Sequence, residues 1–203
     1  MKEVTIGKQI WMSENLNISI FRNGDLIFEA KNPEDWKMAA EKQIPAWTYY
    51  NNDPVNGEKF GKLYNWFAVN DLRGLAPEGW HIPTDEEWSV LSDFLGGNKN
   101  SANKLKQNEG WNLPGYKRGN GSNESGFSAK PGGYCYYFDS SPSTFEQLGA
   151  YGCWWSSSKK VKPLSAYTIS MRNFTFWGWV DNSLIRSYHP LVNGYSVRCL
   201  KDY

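Results

Sequence analysis

Residues 79–88, Gly-Trp-His-Ile-Pro-Thr-Asp-Glu-Glu-Trp, mark the start of the clearest helix in the sequence. Thr84 and Glu87 form a capping-box pattern. In this pattern the threonine hydroxyl accepts from the backbone N–H three residues later, and the glutamate side chain reaches back. An apolar stripe follows at helical spacing, and Gly96-Gly97 ends it. The pattern predicts a helix over Thr84–Leu95.

Weaker signals predict three further helices. Asn32 as N-cap and Pro33 at the first helical position predict a helix that ends before Pro45. Apolar residues at roughly helical spacing predict a second main helix over Gly61–Val69, and Ser101–Gln107 is a weaker helical stretch.

Strands are predicted at both ends of the chain. A hairpin turns at Gly7-Lys8, and the segment from Gly110 to Gly133 is expected to be a long ordered loop anchored by Phe127. In the last third, alternation predicts that Thr168, Ser170 and Arg172 share one face of a strand. The predicted strands there are Gly152–Ser158, Ala166–Arg172, Asn173–Trp179 and Gly194–Leu200.

Length, charge and composition exclude several classes of protein. The 203 residues, with 22 Lys+Arg against 21 Asp+Glu, predict one domain over residues 1–203 and no nucleic-acid partner, since phosphate recognition needs a concentrated basic surface. No run of 18 apolar residues exists, so no membrane insertion is expected. Residues 1–7 lack the apolar segment of a secretory signal. Aromatic residues make up 16% of the chain, which excludes a disordered protein.

The cysteines and histidines do not form a familiar chemical site. Cys135, Cys153 and Cys199 allow at most one intramolecular disulfide, and no C-x-x-C pair is present. His81 and His189 are too isolated for a histidine-based metal site, so we expect no metal and no cofactor.

Five ordered motifs resemble those of the Fibrobacter succinogenes major paralogous domain family, a group of C-type-lectin-like domains. The resemblance runs from about Val4 to Lys201. The motifs are Gly61-x-Leu-Tyr-Asn-Trp-x-Ala68, Ala76-Pro-x-Gly-Trp-His-Ile-Pro-Thr-x-x-Glu-Trp-x-x-Leu91, Gly126-Phe-Ser-Ala-x-Pro-Gly-Gly-Tyr134, Trp154-Trp-Ser-Ser157 and Gly194-Tyr-Ser-Val-Arg-Cys199.

The resemblance implies an α+β, C-type-lectin-like fold with two main helices, small antiparallel sheets and long ordered loops. The N- and C-terminal strands would pair, and the ligand sheet would come from residues after Gly149. Many relatives have a cysteine where this chain has Ala76, which leaves Cys199 reduced or paired with Cys135 or Cys153. The loop residues that hold calcium in sugar-binding C-type lectins are not matched, so calcium-dependent sugar binding is not expected.

The ligand surface is predicted near the C-terminus. Alternation over 174–181 places Trp177 and Trp179 beside polar Thr175 and Asp181, about 7 Å apart at a rise of about 3.3 Å per residue. Such a pair would form a platform for a sugar ring or an apolar patch of a partner protein. The alternative is that a loop over Ser183–Asn193 covers both rings.

The resemblance also implies a biological setting. Some C-type-lectin-like domains are variable proteins of diversity-generating retroelements, at the tips of phage tail fibres or on bacterial surfaces. Trp177 and Trp179 would be constant members of the surface. The remaining candidate ligand-binding residues are Ser170, Arg172, Asn173, Thr175, Asp181, Asn182, Ser183, Arg186, Ser187, Tyr188 and His189.

No enzyme motif accompanies these residues. His81 lies in the Gly-Trp-His-Ile-Pro motif that resembles the family, which indicates a structural role. The helix cap and the helix dipole explain Asp85, Glu86 and Glu87. We therefore expect a non-enzymatic domain that binds a protein or glycan on a host or neighbouring cell. It would sit on the virion or bacterial surface, as a homo-oligomer if at a fibre tip. The alternative is a carbohydrate-binding or structural module of a secreted bacterial protein.

Overall fold

The computed structural model describes residues 2–111, 119–138, 141–159, 165–172 and 183–202. They form five α-helices and three small, mostly antiparallel sheets, which confirms the predicted α+β class. The helices are α1 (Pro33–Glu41), α2 (Pro54–Phe60), α3 (Trp66–Val69), α4 (Asp85–Phe94) and α5 (Asn98–Leu105). The strands are β1 (Glu3–Ile6), β2 (Gln9–Met12), β3 (Phe28–Glu29), β4 (Ala46–Thr48), β5 (Leu63–Tyr64), β6 (Trp80–His81), β7 (Gly132–Phe138), β8 (Ser141–Leu148), β9 (Tyr151–Lys159), β10 (Ser165–Arg172), β11 (Ile185–Pro190) and β12 (Leu200–Lys201).

The first sheet brings the two ends of the chain together. Its strand order is β1-β2-β12-β6, and the β1–β2 hairpin turns at Gly7-Lys8 as predicted. Leu200 in β12 pairs with Trp11 on one side and with His81 on the other. The C-terminal strand is much shorter than the predicted Gly194–Leu200. The preceding residues form only isolated bridges, because Gly194, Tyr195 and Ser196 each pair with a different part of the chain.

The helix caps follow the sequence closely at α1 and α4. The Asn32 side chain accepts from the Asp35 backbone N–H, and the capping box of Thr84 and Glu87 is complete. The predicted weak helix is α5, which starts and ends earlier than expected.

The predicted helix over Gly61–Val69 is wrong. Gly61 ends α2 with a φ of 80°, a left-handed value that glycine adopts at little cost. Leu63 and Tyr64 then pair with β4 in the three-stranded sheet β3-β4-β5, and Asn65 caps the single turn of α3. The apolar spacing that suggested one helix reflects two short elements that both face the core.

The third sheet has the order β11-β10-β9-β7-β8, and only its β7–β9 pair is parallel. It begins at Gly132, so the expectation that the sheet arises only after Gly149 is wrong. The loop expected over Ser183–Asn193 is mostly β11, which pairs with β10 from Ser165↔Pro190 to Ser170↔Ile185.

Aromatic rings fill the core between the sheets and α4. The centroid of the Trp11 ring lies 4.8 Å from that of Trp88 and 5.6 Å from that of Phe127, and Phe127 lies 6.3 Å from Trp154. All four side chains are fully buried. Phe127 therefore anchors its loop as predicted.

Arg198 joins three distant segments inside this core. Its buried guanidinium donates to the carbonyl oxygens of Met12 and Phe127 and to Asn15 Oδ1, and it stacks 4.3 Å from the Phe127 ring centroid. Burial lowers the pKa of Arg198 to about 9. The arginine of the final motif is thus a packing residue of the fold.

No helix within the described residues has the length and apolarity needed to cross a bilayer.

Candidate functional site

The two faces of β11 separate the candidate residues that are neighbours in sequence. Arg186 and Tyr188 are exposed on one face, while Ser187 and His189 are half-buried on the other. Successive residues of a strand point to opposite faces. The predicted cluster of all four on one ligand surface is therefore wrong.

Arg186 is held by an ion pair to α4. Its guanidinium donates to both carboxylate oxygens of Asp85, with Nε 3.0 Å from Oδ1. Asp85 is buried in the first turn of α4, where its charge also suits the helix dipole. This contact fastens β11 to the helix and assigns Arg186 a structural task.

The opposite face of the sheet carries a cluster of half-buried aromatic side chains. Tyr134 and Tyr136 stand at alternate positions of β7, Tyr151 begins β9, and His189 lies on β11. We call these four residues the tyrosine face. The Tyr134 ring centroid lies 6.4 Å from that of Tyr136 and 6.5 Å from that of Tyr151.

A buried ring behind the tyrosine face positions two of its members, Tyr134 and His189. The Tyr195 centroid lies 5.8 Å from Tyr134 and 5.5 Å from His189, and it packs edge-on against Trp155 at 4.8 Å. The Tyr195 hydroxyl accepts from Asn193 Nδ2 at 3.2 Å. Because Tyr195 and Trp155 are buried, the half-buried rings of Tyr134 and His189 rest on a rigid support.

One carboxylate borders the tyrosine face. Glu146 on β8 accepts from the Tyr134 hydroxyl at 3.2 Å, and Thr144 donates to its other oxygen at 3.5 Å. Burial, the Glu146 charge and this hydrogen bond raise the pKa of Tyr134. Burial lowers the pKa of His189, so its imidazole is neutral at pH 7. Among the described side chains, the face and its border therefore present rings, neutral hydrogen-bonding groups and the Glu146 carboxylate.

Backbone register brings two predicted site residues near the tyrosine face. Ser170 pairs with Cys153 on β9 and with Ile185 on β11, and Arg172 pairs with Tyr151. Thr168, which is predicted to share a strand face with them, is only 1% exposed, since it pairs with the fully buried Trp155.

The structure describes only one of the remaining predicted site residues. Ser183 is half-buried just before β11. The predicted tryptophan platform and its neighbours lie outside the described residues; these are Asn173, Thr175, Trp177, Trp179, Asp181 and Asn182.

The sequence-based prediction missed the tyrosines of β7 and β9. A usable signal existed, because Tyr134 and Tyr136 alternate after the Gly132-Gly133 pair. Their importance depends on the neighbouring strands, however, which a local pattern does not reveal.

Within the described ranges, no three His, Cys, Asp or Glu side chains are grouped so that they could hold a metal ion. The three cysteines are free and buried, which resolves the open question of their pairing.

The chain matches a protein-family model over most of its length. The family model described as the Fibrobacter succinogenes major domain matches residues 4–201. No curated protein and no solved structure matches the chain. Because the family model spans almost the whole sequence, this chain belongs to the Fibrobacter succinogenes major domain family.

Proposed function

We propose that this chain is a non-enzymatic binding domain that recognises a receptor on a cell surface through the tyrosine face. The observation that carries the proposal is the set of partly exposed tyrosines centred on Tyr134, whose ring contacts Tyr136 and Tyr151 and packs on the buried Tyr195. We further propose, from the sequence pattern alone, that Ser170, Arg172, Trp177 and Trp179 take part in binding.

Supported tyrosines suit recognition for an energetic reason. Tyrosine supplies a large apolar area with only two side-chain torsions, so little conformational entropy is lost on binding. Rings that are already packed lose still less, and a larger share of the contact energy then appears as affinity. The Tyr134 hydroxyl and the Glu146 carboxylate add directional hydrogen bonds.

The acid–base properties of Tyr134 and of the buried Cys153 favour binding over proton transfer. The raised pKa of Tyr134 keeps its hydroxyl protonated, and burial raises the pKa of Cys153 to about 12, which suppresses the nucleophilic thiolate. Catalysis by these groups at neutral pH would need pKa values near the working pH.

We place the domain on a C-type-lectin-like frame, at a phage tail-fibre tip or on a bacterial surface. Pairing of β12 with β2, next to β1, supports such a frame because it joins the chain ends in one sheet. If the protein is diversified by a retroelement, the coding DNA carries a near-identical template repeat with a reverse-transcriptase gene nearby. Sequencing that neighbourhood tests this part, and absence of both features contradicts it.

Cell binding tests the tyrosine face directly. Fluorescently labelled wild type and the double variant Tyr136→Ser with Tyr151→Ser would be titrated on a panel of bacterial cells. We expect the dissociation constant of the double variant to be about tenfold higher or more, where each tenfold corresponds to ~1.4 kcal/mol of binding free energy. Tyr188→Ser is the matched control, because Tyr188 is 54% exposed on the opposite face.

Two outcomes would contradict the assignment of the binding site to the tyrosine face. Equal weakening by Tyr188→Ser and the double variant would contradict the tyrosine face, as would unchanged binding by the double variant. Trp177→Ala with Trp179→Ala tests the tryptophan platform separately. A glycan array then distinguishes a glycan receptor from a protein receptor.

A further inference from the structure

A concave surface lies away from the tyrosine face. It is a cleft of about 980 Å³ between β3, β4 and the start of α2, and it shares no residue with the tyrosine face. Ligand pockets typically measure about 300–1,000 Å³. The cleft is therefore large enough for a ligand of several rings.

The floor of the cleft is aromatic and rigid. The ring centroids of Trp47 and Tyr49 lie 5.0 Å apart in an edge-on arrangement, and Trp47 Nε1 donates to the Ile27 carbonyl at 3.2 Å. The Tyr49 ring lies so close to Gly57 that a side chain at this glycine would come within 2.0 Å of Cε1. The absence of a side chain at Gly57 thus leaves room for the ring in its observed position.

A lysine is built into this floor. Lys62 is 5% exposed, and its Nζ lies 4.3 Å from the Trp47 ring centroid and 5.0 Å from that of Tyr49. The ammonium donates to the carbonyl oxygen and to Oδ1 of Asn17, at 3.3 and 3.0 Å. Burial lowers the pKa of Lys62.

The charges around the cleft balance. Its charged lining residues are the cations Lys31 and Lys62 and the anions Glu29 and Asp35. Lys31 Nζ lies 3.9 Å from Glu29 Oε2 at the rim. The two carboxylates would repel an anionic ligand, and the two ammonium groups would repel a cationic ligand. The balance therefore favours an uncharged ligand that can use both donors and acceptors.

We propose that this cleft binds a neutral oligosaccharide. A sugar ring has an apolar C–H face that would pack on Tyr49 and Phe28. Its neighbouring hydroxyls would donate to Glu29 and accept from Lys31, whose side chain is 72% exposed. Aromatic walls with a few convergent polar groups are the usual composition of a small-molecule site. This site is separate from the receptor surface proposed above, and each site can be present without the other.

Titration with defined sugars tests the proposal. Isotope-labelled wild type would be titrated with cellotetraose, maltotetraose, xylotetraose and mannotetraose, and with tetragalacturonate as the acidic probe, while backbone amide shifts are followed. We expect at least one neutral sugar to shift the amides of Phe28, Trp47 and Tyr49. Tyr49→Ser should weaken that binding about tenfold or more.

Two variants separate loss of binding from loss of folding. The Glu29 side chain is 38% exposed at the rim, so Glu29→Gln should fold normally and still weaken binding severalfold. Tyr136→Ser on the tyrosine face is the matched control, and it should bind the sugar like wild type. The proposal is overturned if no neutral sugar shifts these amides, if only tetragalacturonate does, or if Tyr49→Ser and Glu29→Gln both bind like wild type.

Discussion

His81 shows how a single residue can couple stability to pH. Its Nδ1 lies 2.7 Å from Asp202 Oδ1 and its Nε2 lies 2.9 Å from Glu87 Oε1, so the ring joins β6, α4 and the C-terminal segment. Burial alone would lower the pKa of His81. The hydrogen bonds and charges of Asp202 and Glu87 outweigh burial and raise it.

The raised pKa predicts a loss of stability as pH rises. A histidine with a folded-state pKa above its unfolded value stabilises the fold fully below the unfolded pKa, and this contribution disappears as pH rises through the folded pKa. Because the side chain is 33% exposed, we expect a contribution of about 1 kcal/mol or less. Asp202→Asn should reduce this loss in urea unfolding measured between about pH 5 and pH 8.

A surface ion pair serves as the control for this prediction. Lys2→Gln removes the exposed pair with Glu14 without touching His81, and it should leave the pH dependence unchanged. If Asp202→Asn and wild type lose stability equally over this range, the carboxylate does not raise the pKa of His81.

Residues were best predicted where their partners are local. Asn32 and Thr84 cap helices through contacts three residues away, and both were identified from the sequence. Thr168 and Arg198 are buried although polar, because distant strands surround them. No local pattern reports such burial.

At the scale of elements, α4 is the helix that its own sequence specifies most completely. Thr84 Oγ1 accepts from the Glu87 N–H at 3.2 Å, and Glu87 Oε2 accepts from the Thr84 N–H at 2.8 Å. The same helix buries Trp88 and Leu91 against the aromatic core.

Removal of the cap should destabilise the protein measurably. We expect Thr84→Ala to lower the free energy of unfolding by about 1 kcal/mol, the usual value for a lost N-cap. Thr84→Ser keeps the accepting oxygen and should stay close to wild type in urea unfolding. Equal losses in the two variants would show that the methyl group, and not the hydrogen bond, matters.

Elements without a strong local pattern were the ones predicted wrongly. The segment Gly61–Val69 has helical spacing, yet Gly61 breaks it and β5 is drawn into a sheet by β4. β11 has little apolar content and becomes a strand by pairing with β10. In both cases tertiary contacts outweighed intrinsic preference.

At the scale of the whole molecule, the reactivity of the thiols reports whether the core around them is packed. Cys135, Cys153 and Cys199 are free and at most 6% exposed. Burial raises the pKa of Cys153 and of Cys199 to about 12, although the charge of Arg198 partly opposes it at Cys199. Thiol reagents attack the thiolate and need access to the sulfur.

We therefore expect the native protein to resist a thiol reagent such as DTNB, and the urea-unfolded protein to release three thiols per chain without reductant. The melting temperature should be the same with and without dithiothreitol. A count below three after unfolding would indicate a disulfide, and rapid reaction of the native protein would contradict the packing of these side chains.

The sequence by itself determined the α+β class, the N-terminal hairpin, the caps of α1 and α4, and membership of the family, because these depend on residues close together or on ordered motifs. Only the tertiary structure decided which tyrosines stay partly exposed, which polar side chains are buried, and that Arg186 serves an ion pair. The physical reason is separation along the chain: Arg186 and Asp85 are 101 residues apart, and Tyr195 supports rings from two other segments. Such contacts exist only after distant elements have packed together.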